Sequence, residues 1–430
     1  MRFTGFKSRF LFMLCMVSAG MFLPTRALAV RTTIAGVVGD GIADDTAAIQ
    51  AAIDKAAQRN GSSLYLPPGT YRLTSQLNLS GKNITFSGAG NTTVLEVDQH
   101  YDDENDNHTG CGVMIEPAFD GYMYYLSQPA VGNKLVIQGH VAFHPGESIF
   151  LNNGRGSSYI QEQTLGGSLT AAGDFNELAP CEFVTVASVA FQQATTVVTL
   201  RKPIVGVGSY GNIMPTGATA TDKYAHVRRI TSPATNITFQ NVAFNFIDPQ
   251  ADLSVASYYM VNLTVQNVTV LQEPTVVGGM GGFALVGSDN VHLINLQSTG
   301  NAGVGVNSSR FVTVEKSAVH DVTIEEATTD CLITGNLLNA TDFIGIRSGD
   351  MLCDRVVINR NEVDNPAANY GGIGIWEGSN IAVTGNTVVE GAATIWLGFT
   401  TGTTVTGNTA AVFTNFYSGD TAVISGNSWQ

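Results

Sequence analysis

The C-terminal part of the chain repeats one phrase: Thr334-Gly335-Asn336, Asn359-Arg360-Asn361, Thr384-Gly385-Asn386, Thr406-Gly407-Asn408 and Ser425-Gly426-Asn427. Its asparagines are separated by 361 − 336 = 25, 386 − 361 = 25, 408 − 386 = 22 and 427 − 408 = 19 residues. Each follows a short β-branched or aliphatic run such as Ile381-Ala382-Val383. A period of twenty-odd residues is the mark of stacked coils. Leucine-rich repeats share the period, but they need a Leu ladder and a helical back that Gly, Asn, Thr and Val fill poorly. A single-stranded parallel β-helix, an all-β fold, suits the composition better. Val and Ile would stack inside and Asn and Gly would hold the corners, Asn because it tolerates the left-handed conformation and bonds locally.

A second register in the same coils concerns function. With Val306, Ile324, Ile346, Ile375 and Ile395 taken as inward, the next residue of each coil points outward, because strand side chains alternate. The outward file then reads Asn307, Glu325, Arg347, Trp376 and Trp396, and continues to Tyr417. Positions two residues earlier are small: Gly305, Thr323, Gly345, Gly374 and Thr394. A flat wall with one file of charged and aromatic groups suits an extended polymer, and exposed Trp on adjacent turns is seldom without a role.

The chain opens with Arg2, Lys7 and Arg9, an apolar run from Phe10 to Phe22, and Ala27-Leu28-Ala29. This pattern predicts a secretory signal peptide over residues 1–29, a mature chain from Val30, and a secreted or periplasmic location. No later run is apolar and long enough to span a membrane as a helix. Without Arg2, Lys7, Arg9 and Arg26, 21 − 4 = 17 basic residues face 35 acidic ones. That balance argues against nucleic acid and anionic membrane surfaces, which are held by Lys and Arg. A strongly polyanionic glycan needs a cation or a local Arg to offset the repulsion. Cys15 leaves with the signal, so Cys111, Cys181, Cys331 and Cys353 remain, with three pairings open. Cys331–Cys353, about one coil apart, and Cys111–Cys181 are favoured, with four unbonded buried thiols as the alternative.

Residues 30–97 read as an opening module and first coils. Gly39-Asp40-Gly41 makes a turn, Asp44 or Asp45 caps a helix, and Ile49, Ala52, Ile53 and Ala56 give it an apolar stripe that would cover the open end of the stack. Leu64-Tyr65-Leu66, a Pro67-Pro68-Gly69 turn and Tyr71-Arg72-Leu73 follow. "GDGIADDTAAIQAAID" with "LYLPPGTYRL" resembles the opening of the pectate-lyase-like superfamily, which includes polysaccharide lyases, rhamnogalacturonase-like and endopolygalacturonase-like hydrolases, alginate epimerases and phage tail-spike depolymerases. The resemblance is close over about residues 35–95, and it implies a right-handed β-helix. It also implies a glycan substrate, and its tail-spike members leave room for a homotrimer. The Asn-Thr-Asp, Asp-Asp and Arg-Ile-Lys set of endopolygalacturonases is absent, as is the Asp-Pro-His phrase of the epimerases.

Residues 98–235 break the rhythm. The acidic run Asp102, Asp103, Glu104 and Asp106 matches no metal-loop spacing and reads as a solvated loop, with calcium as the alternative. "HVAFHPGESIFLNNG", "CEFVTVASV" and "TTVVTLRKPI" predict antiparallel strands of an inserted small barrel or sandwich overhanging the groove. The main coils follow over residues 236–430.

Candidate catalytic residues cluster from His320 onward: His320 and Asp342 at one edge of the wall on neighbouring coils, Glu325 and Arg347 adjacent in the outward file, and Asp321 bordering them. Asn307, Trp376, Trp396, Tyr417 and Glu377 are the candidate substrate contacts. Paired carboxylates, Glu325 with Asp342 or Asp321, would serve glycoside hydrolysis at about 5 Å or about 6.5–9.5 Å separation. His320 as base with Arg347, or an acid-held calcium, neutralising a carboxylate would serve β-elimination. The reading is a secreted glycan-cleaving enzyme, hydrolase slightly ahead of lyase or epimerase. The bland readings are a surface ion pair for Glu325 and Arg347, a backbone-bonded turn histidine, and tryptophans packed beneath the insertion. A non-catalytic glycan-binding β-helix is the competing class.

Overall fold

A computed structural model describes residues 31–429 apart from 60, 100–110, 154–180, 206–210, 212, 215, 220–223, 248–252, 273–281, 299, 326–327, 340–345, 365–371, 390–393, 399 and 416–420. The predicted leader therefore lies outside the described residues. So do the acidic run at 102–106, Asp342 and Tyr417.

The chain forms a parallel β-helix with three walls. Wall 1 stacks Leu77–Leu79, Cys111–Ile115, Leu253–Tyr258, Phe283–Val286, Val304–Asn307, Val322–Glu325, the start of Ile346–Asp354, Ile373–Ser379, Thr394–Gly398 and Val412–Asn415. Wall 2 runs from Arg31–Thr33 to Thr421–Ser425, and wall 3 from Asp40–Asp44 to Ser428–Trp429. Inside, β-branched residues stack in register: Val314, Ile333, Ile358, Val383 and Val405 are all buried and successive in wall 2. One helix, α1 (Thr46–Ala57), lays Ile49, Ile53 and Ala56 against this core at the N-terminal end. Both predicted cap residues act there. Asp44 Oδ1 accepts from the Thr46 N–H, while the buried Asp45 carboxylate accepts from the N–H groups of Val38 and Gly39 and braces the preceding loop.

Four of the repeated asparagines, Asn336, Asn361, Asn386 and Asn408, are buried and Asn427 is half-buried, and none of the five takes the left-handed conformation expected of them. The residue before each does so: Gly335, Arg360, Gly385, Gly407 and Gly426 have φ of 64, 55, 63, 66 and 65°. The asparagine then turns inward between walls 2 and 3 and bonds to its neighbours above and below. Asn336 Nδ2 donates to Asn361 Oδ1 (2.9 Å), Asn361 to Asn386 (3.0 Å), Asn386 to Asn408 (2.9 Å) and Asn408 to Asn427 (3.0 Å). Each Nδ2 also reaches a backbone carbonyl, and each Oδ1 also takes the backbone N–H of the asparagine before it, so the buried amides are satisfied. At the corner between walls 1 and 2 the left-handed role does fall to asparagine: Asn83, Asn236, Asn262 and Asn290 form an exposed ladder with spacings of 2.6–2.8 Å.

Between Ile115 of wall 1 and Ala234, where wall 2 resumes, the chain makes an antiparallel subdomain. Its strands Tyr124–Tyr125, His226–Ser232, Ser148–Asn152, Cys181–Gln192, Thr195–Leu200 and Lys134–Gln138 pair in that order. A Leu126–Ile137 bridge joins the last back to the first, so the sheet closes into a small barrel around Leu135, Ile137, Ile149, Leu151, Val186, Val198 and Val227.

The favoured disulfides are not formed in the structure: Cys111, Cys181, Cys331 and Cys353 carry no S–S bond. Cys331 immediately precedes Leu332, which pairs with Val357, so the next coil places Val356 and not Cys353 above it. Cys111 lies in wall 1 and Cys181 starts a barrel strand, where its thiol donates to the Ser308 carbonyl at 3.2 Å. Burial pushes the Cys181 and Cys331 thiols up to about 12.

Candidate functional site

The wall predicted to carry function exists, but the single outward file is two files. Asn307 pairs with Glu325, Glu325 with Gly349, Gly349 with Trp376 and Trp376 with Gly398. Two residues earlier, Gly305 pairs with Thr323, Thr323 with Arg347, Arg347 with Gly374, Gly374 with Trp396 and Trp396 with Thr414. Arg347 and Trp396 thus belong to the file predicted to be small. Ile346 pairs with Val322 and not with Ile324, and Ile395 with Ile373 and not with Ile375. A two-residue slip preserves the outward side, so the wall survives and only the adjacency of Glu325 with Arg347 is lost; Arg347 stands diagonally one coil on.

The tryptophans come together because the two files are neighbours. Their rings sit edge to face with centroids 6.0 Å apart, both half-buried. Glycine makes the arrangement fit: a Cβ at Gly374 would overlap the Trp396 ring, which lies back over the preceding coil. In its own file Trp376 has glycine on both sides, Gly349 and Gly398. Glu325 is half-buried two coils before Trp376, about 10 Å away along the stack. Of Arg347 and Glu377 the structure describes the backbone alone; Glu377 follows Trp376 in the strand Ile373–Ser379.

His320 and Asp321 stand at the edge where the chain enters wall 1. His320 is 5% exposed, with Nδ1 3.7 Å from Asp321 Oδ2. The Asp321 carboxylate lies across Gly303 of the preceding coil, where a Cβ would overlap it. Asp321 and Glu325 are four residues apart on one extended segment, about 13 Å between backbones. Among the described residues no three His, Cys, Asp or Glu side chains converge as a metal site.

Sequence reasoning missed the buried ion cluster between barrel and helix. Arg310 donates to Asp289 Oδ2 at 3.0 and 2.6 Å and meets Glu182 of the barrel at 2.9 Å; these neighbours hold its guanidinium pKa above the ordinary value despite burial. It also missed the apolar outward residues Met114, Tyr258 and Val286 of the early coils. Outward apolar residues are the signal for a covered surface, and it was present in the sequence.

The family model described as "Rhamnogalacturonase A/epimerase, pectate lyase-like" matches residues 30–113. The mannuronan C5-epimerase AlgE1 of Azotobacter vinelandii is 42% identical over 71 residues, covering 15% of this chain and 5% of the epimerase. Alginate lyase 7 of the same organism is 40% identical over 76 residues, covering 16% of this chain and 9% of the lyase. The chain thus matches only a small part of the length of these relatives. Among solved structures, the tailspike gp61 of Pseudomonas phage phi297 superposes with a TM-score of 0.48 at 12% identity, over 93% of this chain and 75% of that one. Over its matched N-terminal stretch the chain is thus similar to pectate-lyase-like proteins, and that stretch opens a parallel β-helix.

Proposed function

We propose that the chain is a polysaccharide-active enzyme whose substrate lies along the outer face of wall 1, and that it acts by removing the C5 proton of a uronate residue. The observation that carries this reading is the paired tryptophan platform on the same open wall as Glu325. Edge-to-face indoles seated on glycines offer flat apolar surface to sugar rings without disturbing the core. Elimination or epimerisation is favoured over hydrolysis because the matched relatives are named as an epimerase and a lyase.

In this reading Glu325 accepts the C5 proton, and the pair of electrons left behind delocalises into the uronate carboxylate, whose charge the diagonal position Arg347 offsets. Return of a proton from the opposite face inverts C5. Expulsion of the O4-linked sugar instead breaks the C4–O4 bond, the leaving oxygen taking a proton from water, and forms a C4–C5 double bond. His320, being buried, orients Asp321 and is not the base. Asn307, Trp376 and Trp396 hold the chain of sugars.

The test is incubation with polymannuronate, polyguluronate and polygalacturonate, followed by ultraviolet absorbance for unsaturated ends and by NMR for C5 inversion. One of these products is expected from the wild type and at least a hundredfold less from Glu325→Gln. New reducing ends without unsaturation would restore hydrolysis. Retention of a glycan with no product from any substrate would make the chain a binding protein.

A further inference from the structure

The outer face of wall 1 changes character partway along the stack. Over the early coils its outward positions are apolar and buried: Met114, Ala256 and Ala284 in one file, Tyr258 and Val286 in the other. From Thr323 and Glu325 onward the described outward residues of these files, glycine aside, are Thr323, Glu325, Trp376, Trp396 and Thr414, all polar or aromatic and half-buried. Asn307 marks the boundary; its Oδ1 is buried with no hydrogen-bond partner among the described residues.

The barrel packs where this change occurs. It leaves the helix after wall 1 and leans over the corner of the coils that follow. Tyr259, just past wall 1, stacks its ring 4.5 Å from Phe150 and 5.7 Å from Phe119 of the subdomain. Two coils further, the Cys181 thiol bonds to the Ser308 carbonyl and Glu182 pairs with Arg310. Arg310 is held in turn by Asp289 of the coil before, so one buried three-residue cluster ties the barrel to two successive coils. Breaking such a cluster leaves a buried charge unpaired, which keeps the barrel in place.

We propose that wall 1 is a groove closed at its N-terminal end, where the barrel docks beside it, and that it therefore receives the end of a glycan chain and not its interior. The inference rests on the reading of wall 1 as a glycan track. A linear polyuronate lying across the strands from Trp396 and Trp376 toward Glu325 runs out of accessible surface at Asn307, because Val286, the next residue in that file, is covered. The span from the Trp376 coil to the Glu325 coil is about 10 Å, so the space between platform and stop holds a short oligosaccharide.

The experiment counts protein bound per polysaccharide chain, which needs no turnover. The full chain is titrated against short and long size fractions of polymannuronate, polyguluronate and polygalacturonate, with Trp376→Ala alongside. A closed groove gives one protein per chain at every length, and Trp376→Ala weakens that binding at least tenfold. A count that rises in proportion to length, abolished by the same substitution, overturns the closed end and leaves the glycan track standing. Absence of binding to all three polymers, or binding that Trp376→Ala does not alter, overturns the track and the closed end together.

Discussion

The corner between walls 2 and 3 and the outer face of wall 1 belong to the same coils but follow opposite rules. At the corner each asparagine amide is closed off by its neighbours, with donors and acceptors all met inside the protein. On wall 1 neighbours in a file are dissimilar: glutamate beside glycine, arginine beside threonine, tryptophan between two glycines. A self-satisfied ladder holds the stack together and has little left to offer a ligand. A face of mismatched side chains forms no such ladder, and in the proposed reading its polar and aromatic groups meet the substrate. Stability and function are thereby placed on different sides of each coil, and substitutions on the two sides are expected to separate cleanly.

The largest effect is expected from breaking the ladder in its middle. Asn361→Ala removes the partner of the Asn336 N–H, the Asn336 amide, the Ile333 carbonyl and Asn386 Oδ1. Buried groups left unpaired cost about 1–3 kcal/mol each, and with partial relaxation the total loss should be about 4 kcal/mol. Chemical denaturation measures it; a loss below about 1 kcal/mol would show that the ladder is ornamental to the fold. Next comes Arg310→Met, which strands Glu182 and Asp289 in a buried setting and should cost about 3 kcal/mol. Its sharper signature is local: amide exchange should rise in the barrel strand Cys181–Gln192 more than in wall 2, and equal protection in both would refute the role of the cluster as a tie.

On the other side of the coil, Trp376→Ala should weaken glycan binding about tenfold, or about 1.4 kcal/mol, while changing the denaturation midpoint little. The edge-to-face contact with Trp396 that is lost is worth about 0.5–1.5 kcal/mol. A large stability loss with unchanged binding would reassign the pair to packing.

The same contrast explains what the sequence disclosed. The corners were legible because a left-handed residue recurs at them, followed by asparagine in the five C-terminal coils, and the glycines and asparagines print that requirement directly. The opening helix was legible through Asp44, Asp45 and the Ile49–Ile53 stripe. On wall 1 the alternation of inward and outward residues fixed the side on which Glu325, Trp376 and Trp396 stand, but period two cannot detect a slip of two. Ile373 and Ile375 are equally good inward residues, and the coil from Thr323 to Arg347 is 347 − 323 = 24 residues while that from Gly305 to Thr323 is 323 − 305 = 18. The varying length falls between wall 3 and wall 1, so wall 1 inherits the uncertainty. The ion cluster was invisible because Glu182, Asp289 and Arg310 are brought together only by the docking of the inserted barrel.

The smallest effect tests the end of the stack, where neither rule has a preceding coil to act on. Asp44 replaces that coil: its carboxylate accepts from the Thr46 N–H and hydroxyl, at 3.0 and 2.6 Å, and from the Thr74 hydroxyl at 2.8 Å, joining the start of α1 to wall 3. These bonds, led by the Thr46 hydroxyl, hold the carboxyl below its ordinary pKa. A folded-state value below the unfolded one means that the contribution is complete above the ordinary aspartate value near about 3.9 and fades as pH falls through the depressed folded value. Since Asp44 is exposed, the worth is discounted to about 0.5 kcal/mol. Asp44→Asn should therefore raise amide exchange slightly at Thr46 and Thr74 near neutral pH and remove their extra opening in acid. Exchange that accelerates in acid equally in both proteins would place the acid-sensitive contact elsewhere than Asp44.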